Sequence, residues 1–566
     1  MDITKKQVVA QLNEAAKLLE VLAEPHRAKA YANAARQLEN FEGDFSHLFE
    51  TSKLTQIRGI GRGLAAEVMT LRERETLPAL DELYEQVPEG VRNLFVVSGL
   101  GAKKVSLLWQ NGIADLNELV EASRDGRVAS LKGFGKKSAE SILSAAEFAL
   151  EAKKRMRLDV AEAYASALQE VMSAALPNVK LTFAGSLRRS LETVGNLDVI
   201  VTGASFEEVV SVLEPFVDDL EAKPPKLEAN FEGRRLELTI VHEDALGAAL
   251  AVQTGSRAFV EMLKDRANER GYKLCSDGLF KEDEFIAAPS EETIFEHLNL
   301  PYISPERRES AQTSSPKNLV SMHTMHGVIH NHSTWSDGAS SLREMVAAAR
   351  ALGYSYLAMA DHSRTSYYAN GLSIKRVEQQ SAEIAKIQQE LTDEGSDFKV
   401  LHGIEVDIMP DGTLDYPDEV LATLDYTVIS VHQNFTLSEA KQTERIVNAV
   451  RNPYATILAH PTGRLLLRRP GYAVNLQEVI GACAETGTVI EINANTRRLD
   501  LDWRWVIKAK RLGCTFSIDP DAHHTSGYDD VRYGVMMARK AGLTVDDVVN
   551  TAPTAEEFLS RLKPRP

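Results

Sequence analysis

Apolar residues recur at helical spacing from the start of the chain: Val8, Leu12, Ala16, Leu19 and Leu22 fall on one face, which predicts helix within residues 1–45, ended by a loop at Gly43. One short pattern then returns three times, as Ile57-Arg58-Gly59-Ile60-Gly61, Val97-Ser98-Gly99-Leu100-Gly101 and Leu131-Lys132-Gly133-Phe134-Gly135, each followed by a helical pattern. Its spacing is too loose for a solenoid and suits separate modules. From about Leu158 the texture changes to a helix over 160–176 and strands at 179–184, 196–201 and 235–241, with helices and loops to about Glu309. Residues 310–318 are polar and turn-rich, a linker. Beyond them, apolar runs of strand length alternate with helical patterns to the C-terminus, as in a parallel β/α fold.

Composition changes this picture little. A chain of 566 residues is long enough for three or four domains, and 44% hydrophobic with 26% charged residues is ordinary for a globular protein. No apolar run reaches the roughly 20 residues that span a bilayer, which predicts no membrane association. The N-terminus runs straight into an amphipathic pattern and predicts no signal peptide. Three widely separated cysteines, Cys275, Cys483 and Cys514, form no disulfide framework and suit a reducing cytoplasm. The net charge of −17 opposes nonspecific coating of nucleic acid, so any such contact must be local.

The repeated turns supply such local sites. Gly-x-Gly at a helix start turns the backbone tightly and aims free N–H groups at an anion. Gly59, Gly61, Gly99, Gly101, Gly133 and Gly135, with Lys103, Lys104, Lys136 and Lys137 beside them, are candidate DNA-backbone contacts. They resemble the helix-hairpin-helix motif.

Gly185-Ser186-Leu187-Arg188-Arg189 follows the first strand of the middle region, and Asn196-Leu197-Asp198 opens the second. Backbone N–H groups, Ser186 and Arg189 suit a triphosphate, and carboxylates two apart on a strand, which face the same way, suit the metal ions of in-line phosphoryl transfer. Together with Thr254-Gly255-Ser256, this part of the chain resembles a family X DNA polymerase of the DNA polymerase beta type across most of residues 1–309. The resemblance implies a lyase-type domain over 1–85, a fingers-like pair over 86–157, a palm over 158–245 and a thumb over 246–309. It places nucleotide binding at Gly185, Ser186, Arg189, Gly255 and Ser256, catalysis at Asp198 and Glu237, dNTP as substrate, and magnesium or manganese held weakly. The departures are as informative. The family's first metal-binding aspartate is Asn196 here, its third is Glu237, its two sugar-pocket aromatics are Val252 and Gln253, and Glu67 stands where the lyase lysine is expected. Losing one of three negative charges weakens binding of a hard cation, which implies polymerase activity that is weak and manganese-favoured, or lost.

After the linker, His330 and His332 alternate at a strand end with Asp337 one turn on. His362, Glu405, His432, His460, Asp521 and His523 then follow successive apolar runs. Polar chemistry at the C-terminal ends of barrel strands marks an active site, and these ligand types suit zinc- or manganese-class ions. The blocks resemble the PHP (polymerase and histidinol phosphatase) domain, in order, with no departure. The resemblance implies a distorted seven-stranded barrel over 325–566, after a linker over 310–324, holding three manganese or zinc ions. It suggests His330, His332, Glu405 and Asp521 on one ion, Glu405 bridging to a second with His432 and His460, and Asp337, His362 and His523 on a third. His332 and Glu405 are the expected catalytic residues. Arg464 and Arg497 are sited to clamp phosphate, and Trp335 either stacks a base or packs its loop.

The expected fold is therefore multidomain: an all-α helix-hairpin-helix part, an α+β nucleotidyltransferase palm and a (β/α)7 PHP barrel, resembling the bacterial PolX family. That implies a cytoplasmic, monomeric DNA repair enzyme working on gapped, nicked or 3′ DNA ends. Its expected chemistry is a metal-dependent 3′–5′ exonuclease that also cleaves at abasic sites. A small-molecule phosphatase of the histidinol-phosphate kind and a non-catalytic DNA-end scaffold are the alternatives.

Overall fold

The structure is a computed structural model describing residues 4–41, 43 and 45–566. The chain divides into two compact units, Met1–Lys154 and Arg155–Pro566.

The first unit is all helical. Its opening amphipathic region is two helices, Lys5–Val21 and Pro25–Glu39, because Pro25 cannot continue the first helix but suits the first turn of the second. Val8, Leu12 and Leu19 are fully buried between them and their neighbours. At each repeated turn the first glycine adopts positive φ (Gly59 93°, Gly99 87°, Gly133 94°), a conformation that only glycine takes without strain. The second glycine caps a helix: Gly61 for Arg62–Met69, Gly101 for Ala102–Gln110 and Gly135 for Lys136–Lys153. The residue between them, Ile60, Leu100 or Phe134, is buried and anchors the turn.

The second unit contains a five-stranded palm sheet in the order Lys180–Phe183, Leu197–Thr202, Arg234–Ile240, Lys226–Phe231, Val217–Lys223. The last two form a hairpin absent from the sequence reading. Leu197–Thr202 and Arg234–Ile240 run parallel with Asp198 directly beside Glu237, so the two carboxylates share one sheet face. Helices Leu246–Thr254, Arg257–Glu269 and Glu291–His297 and a three-stranded sheet then form the thumb around Phe259, Leu263 and Phe295.

Seven parallel strands follow in chain order: Gly327–Asn331, Tyr356–His362, Lys399–Asp407, Tyr426–Ser430, Ile457–Leu458, Val489–Asn493 and Phe516–Asp519. A parallel bridge between Asn331 and Ala522 brings the first and last strands together, and the sheet curls into the expected barrel. Residues 310–324 are not the free tether that their composition suggests: Leu319 bridges Thr544 and the Val320 amide donates to Leu543 O, which straps the segment to the barrel. Palm, thumb and barrel are joined by ion pairs, one of them buried. Lys540 is 1% exposed and donates from Nζ to Glu309 Oε1 at 2.9 Å, Arg539 pairs with Glu306, and Arg504 pairs with Glu192.

Candidate active site

The nine sequence-derived metal ligands converge at the C-terminal mouth of the barrel, each at or just beyond a strand end. Three of them sit on strained backbone: His330 (φ 56°), His460 (φ 26°) and Asp521 (φ 52°) occupy the left-handed region without being glycine. Such strain persists where function demands a particular side-chain direction. Ligand atoms lie within 4.8 Å of one another in four sets: His332, Asp337, His362 and His523; His330, His332 and Glu405; His330, His460 and Asp521; His362, Glu405 and His432. The grouping departs in part from that implied by the family resemblance. His332 also faces the Asp337 set, and His460 falls with His330 and Asp521, although its Nε2 is 3.0 Å from Glu405 Oε1.

Several of these atoms approach without hydrogen bonding. His362 Nδ1 is 2.9 Å from Glu405 Oε2, and His332 Nε2 is 3.2 Å from Asp521 Oδ1, yet each of these nitrogens, and Glu405 Oε2, lacks a hydrogen-bond partner. Buried polar groups normally pair. Lone pairs that converge on common points while pairing with none fit cations held between them.

The electrostatics prepare the same arrangement. Burial opposes charge on Glu405, but His432, His330 and His362 outweigh it and hold the carboxyl well below its ordinary range. Asp521 is likewise held low, with burial overcome by His330 and His332. Burial pushes His332 down to about 3 and His460 to about 4 and keeps both imidazoles neutral, whereas the carboxylates facing them outweigh burial and push His432 up to about 10 and His523 to about 9.

A supporting layer, missed in the sequence, fixes the ligands. Glu491 Oε2 is 2.6 Å from His330 Nδ1, and Asp407 Oδ1 is 2.7 Å from His432 Nδ1, which turns each Nε2 towards the centre. Asn493 Nδ2 donates to Asp521 Oδ2 at 3.1 Å. Asp361 accepts from the Ser333 amide (2.8 Å) and the Ser336 hydroxyl (2.5 Å), which shapes the loop carrying Asp337. A lone carboxylate inside an apolar strand, such as Val489-Ile490-Glu491-Ile492, was the available signal.

Two further expectations need correction. Arg464 is no phosphate clamp: its guanidinium binds Asp502 (2.8 Å), Arg498 O (3.0 Å) and Leu499 O, inside the structure. Arg497 is exposed, and it is its neighbour Arg498 that reaches the centre, with Nε 3.4 Å from Asp521 Oδ2. Trp335 packs its loop: Nε1 donates to Glu383 and Arg376 covers the ring.

In the palm, Gly185, Ser186, Arg189, Gly255 and Ser256 line one cavity of about 600 Å3 together with Asn196, Asp198, Val252 and Gln253. Gly185 (φ 57°) is required there, since a Cβ would lie 1.7 Å from Asp198 Oδ2. Asn196 Nδ2 donates to Asp198 Oδ1 at 2.9 Å and to Glu237 Oε1 at 3.0 Å, so an amide sits where two carboxylates meet. Burial, then Glu237, pushes Asp198 up to about 6. Arg189 borders the cavity, but its guanidinium is engaged by Thr254 O (2.7 Å) and Glu309 Oε1 (3.0 Å). In the first unit the second glycine of each repeated turn has open space around it, and Lys103, Lys136 and Lys137 are exposed, whereas Lys104 folds back onto Gly99 O. Glu67, in place of the lyase lysine, is tied to Tyr31 (2.7 Å) and the Ala79 amide (2.9 Å).

A polymerase-type palm and thumb followed by a metal-ligating parallel barrel define a family X polymerase core carrying a PHP domain. Residues 3–77 match the helix-hairpin-helix domain, 91–147 the SAM-like helix-hairpin-helix tandem, 249–309 the DNA polymerase beta thumb and 329–495 the PHP domain. The chain is 35% identical to the DNA polymerase/3′-5′ exonuclease PolX of Bacillus subtilis (strain 168), over 98% of this chain and 99% of that protein, and it belongs to the bacterial PolX family. It is also 23% identical to DNA polymerase lambda of Rattus norvegicus, over 53% of this chain and 56% of the relative. A probable phosphatase of Thermoanaerobacter sp. (strain X514) is 32% identical over 29% of this chain and 69% of its own length. No helix among the described residues is long and apolar enough to cross a membrane.

Proposed function

We propose that this chain is a DNA repair enzyme whose intact chemistry is a metal-dependent 3′–5′ exonuclease in the PHP barrel, and whose palm polymerises weakly, with manganese, or not at all. The observation that carries this is the contrast between the two centres. Nine candidate ligands converge in the barrel, several of them with ring nitrogens or a carboxylate oxygen that no hydrogen bond uses, while in the palm the uncharged Asn196 amide donates to both remaining carboxylates. His330, His332, Asp337, His362, Glu405, His432, His460, Asp521 and His523 would hold three divalent ions of manganese or zinc type. Ions bound there supply a water acidic enough to attack near neutral pH and a positive field for the phosphoryl charge. Glu405, lying in two of the ligand sets, orients the cluster. Glu491 and Asp407 fix the imidazoles of His330 and His432, and Arg498 supplies a cation at the rim. Domain limits of 1–85, 86–157, 158–245, 246–309 and 325–566 follow the division of labour, with DNA gripped through the glycine turns and dNTP, where used, in the palm cavity. The same centre suits cleavage at abasic sites, in base excision repair, by a cytoplasmic monomer.

The test is a 5′-labelled primer–template incubated with manganese, with and without dNTPs. Shortening that Glu405→Ala or His332→Ala abolishes is expected, and full activity in those variants refutes the barrel assignment. Extension that survives Asp198→Ala does not come from the palm. The 32% identity over 29% of this chain to a probable phosphatase favours a second reading, hydrolysis of small monoesters. Competing a nucleotide monoester against single-stranded DNA separates the two.

A further inference from the structure

Tyr367 and Tyr368 are 85% and 72% exposed, the two most exposed of the large apolar side chains among the described residues. They lie five and six residues beyond the ligand His362, in the turn Tyr367–Ala369. The Tyr368 ring centroid is 6.5 Å from those of both His362 and His432, so the pair stands at the lip of the metal centre.

The loop that presents them is rigid. Thr365 Oγ1 and Ser366 Oγ both donate to Asp407 Oδ2, at 2.6 and 2.8 Å, and the Thr365 amide donates to Asp415. Asn370 Nδ2 donates to Ser336 O, Arg376 donates to Asn370 O, and Leu372 N returns to His362 O at 2.8 Å. Gly371 closes the turn so tightly that a Cβ would meet Ser363 O at 1.9 Å. Two large rings held in water by a loop with its own polar groups satisfied are poised for a ligand with flat apolar faces.

The charge nearby selects that ligand. Arg498 lies beside Asp521 at the centre. Arg469, stacked over Phe435 at 4.5 Å, is within electrostatic reach of Arg498, Arg468 and Tyr368, and Arg468 is exposed. Aromatic faces beside cations, at a phosphate-hydrolysing centre, suit a polyanion whose flat groups are free to stack. A duplex hides its base faces, so the complementary ligand is unpaired.

We infer that Tyr367 and Tyr368 form a stacking platform for the last two bases of a single-stranded DNA 3′ end, and so make the barrel centre an exonuclease instead of a phosphatase of small esters. Tyr368, next to the ligands, takes the base nearest the scissile phosphate, and Tyr367 takes its neighbour. The inference rests on the nuclease function proposed above.

The test uses the full chain with Tyr367→Ala/Tyr368→Ala, the Tyr367→Phe/Tyr368→Phe pair, and Leu512→Ala as an exposed apolar control elsewhere. Three quantities are read: quenching of a 3′-terminal 2-aminopurine in a single-stranded oligonucleotide in EDTA, KM and kcat for that oligonucleotide with manganese, and kcat/KM for methyl p-nitrophenyl phosphate, which has no base. The alanine pair is expected to lose the quenching and to raise the oligonucleotide KM roughly tenfold or more. Its preference for oligonucleotide over small ester should fall by the same factor, with the phenylalanine pair and Leu512→Ala behaving as wild type. Unchanged quenching and KM in the alanine pair overturn the inference, as does an equal loss on both substrates, which marks a loop that merely supports the ligands. Wild-type protein that cleaves neither diester overturns the nuclease function instead, and the quenching then decides the platform by itself.

Discussion

Replacing Asn196 with aspartate restores the third carboxylate of the palm and should convert a carboxylate pair bridged by an amide into a cation site. The amide now donates to Asp198 at 2.9 Å and Glu237 at 3.0 Å. Hydrogen bonds to charged groups contribute about 1.5–3 kcal/mol each, and both are lost. A new charge about 3 Å from two others adds repulsion on the order of 5 kcal/mol per pair at an effective dielectric constant of ~20. Solvent at Glu237, which is 38% exposed and also paired with Arg235, reduces that figure. A net loss of at least about 3 kcal/mol in metal-free protein follows. Asp198, already pushed up to about 6, should take up a proton more readily still. Manganese should reverse the loss, since a ligand at 100 times its Kd returns about 2.7 kcal/mol. The assay is thermal unfolding of Asn196→Asp with and without manganese, together with gap filling in a Glu405→Ala background that spares the primer. Lower metal-free stability, a Tm rise with manganese larger than in Glu405→Ala alone, and a gain in extension are expected. A variant as stable as its parent, with no manganese response at the palm and no gain, refutes Asn196 as the break. Val252, Gln253 and the engaged Arg189 would then be responsible.

Glu491→Gln should weaken metal binding in the barrel by about 10–100-fold while the fold is kept, because the amide holds His330 less strongly, as chelator competition with circular dichroism will show. Glu309→Gln strips the fully buried Lys540 of its counter-charge and should cost about 3–5 kcal/mol, read by thermal unfolding, and Lys540→Met in the same chain should recover most of it. Asp530 is pushed up to about 6 by burial and by Asp159. Its folded form therefore holds a proton that the unfolded form has lost between about pH 4 and 6, so stability falls as pH rises through that window. Asp530→Asn should match wild type at pH 4 and exceed it above pH 6 by about 1–2 kcal/mol after solvent screening, in a Tm series against pH.

The metal centre was legible because a parallel barrel places its chemistry by a rule: each ligand follows an apolar run, and the runs succeed one another in register. The palm strands were legible for a related reason, with 179–184, 196–201 and 235–241 falling within two residues of Lys180–Phe183, Leu197–Thr202 and Arg234–Ile240. What stayed hidden depends on partners far away in the chain. Arg464 and Arg498 are alike in residue type and loop setting, but Asp502 lies in reach of the first and Asp521 of the second. Glu491 acts only through His330, 161 residues earlier. The polar stretch 310–324 carried the composition of a tether, and its anchors Leu543 and Thr544 belong to the last helical layer of the barrel. Tyr367 and Tyr368 lack periodicity altogether, and exposure alone distinguishes them.

The carboxylate of Glu309 touches Arg189 of the palm on one side and Lys540 of the barrel on the other. This couples the palm to the barrel through a single carboxylate. A truncation that begins at the PHP domain removes both oxygens to which Lys540 Nζ donates, Glu309 Oε1 and Glu306 O, together with the segment that buries it, so the chain before the barrel forms part of the barrel's own wall. A substitution at Glu309 is therefore felt by Arg189 in the palm and by Lys540 in the barrel at once.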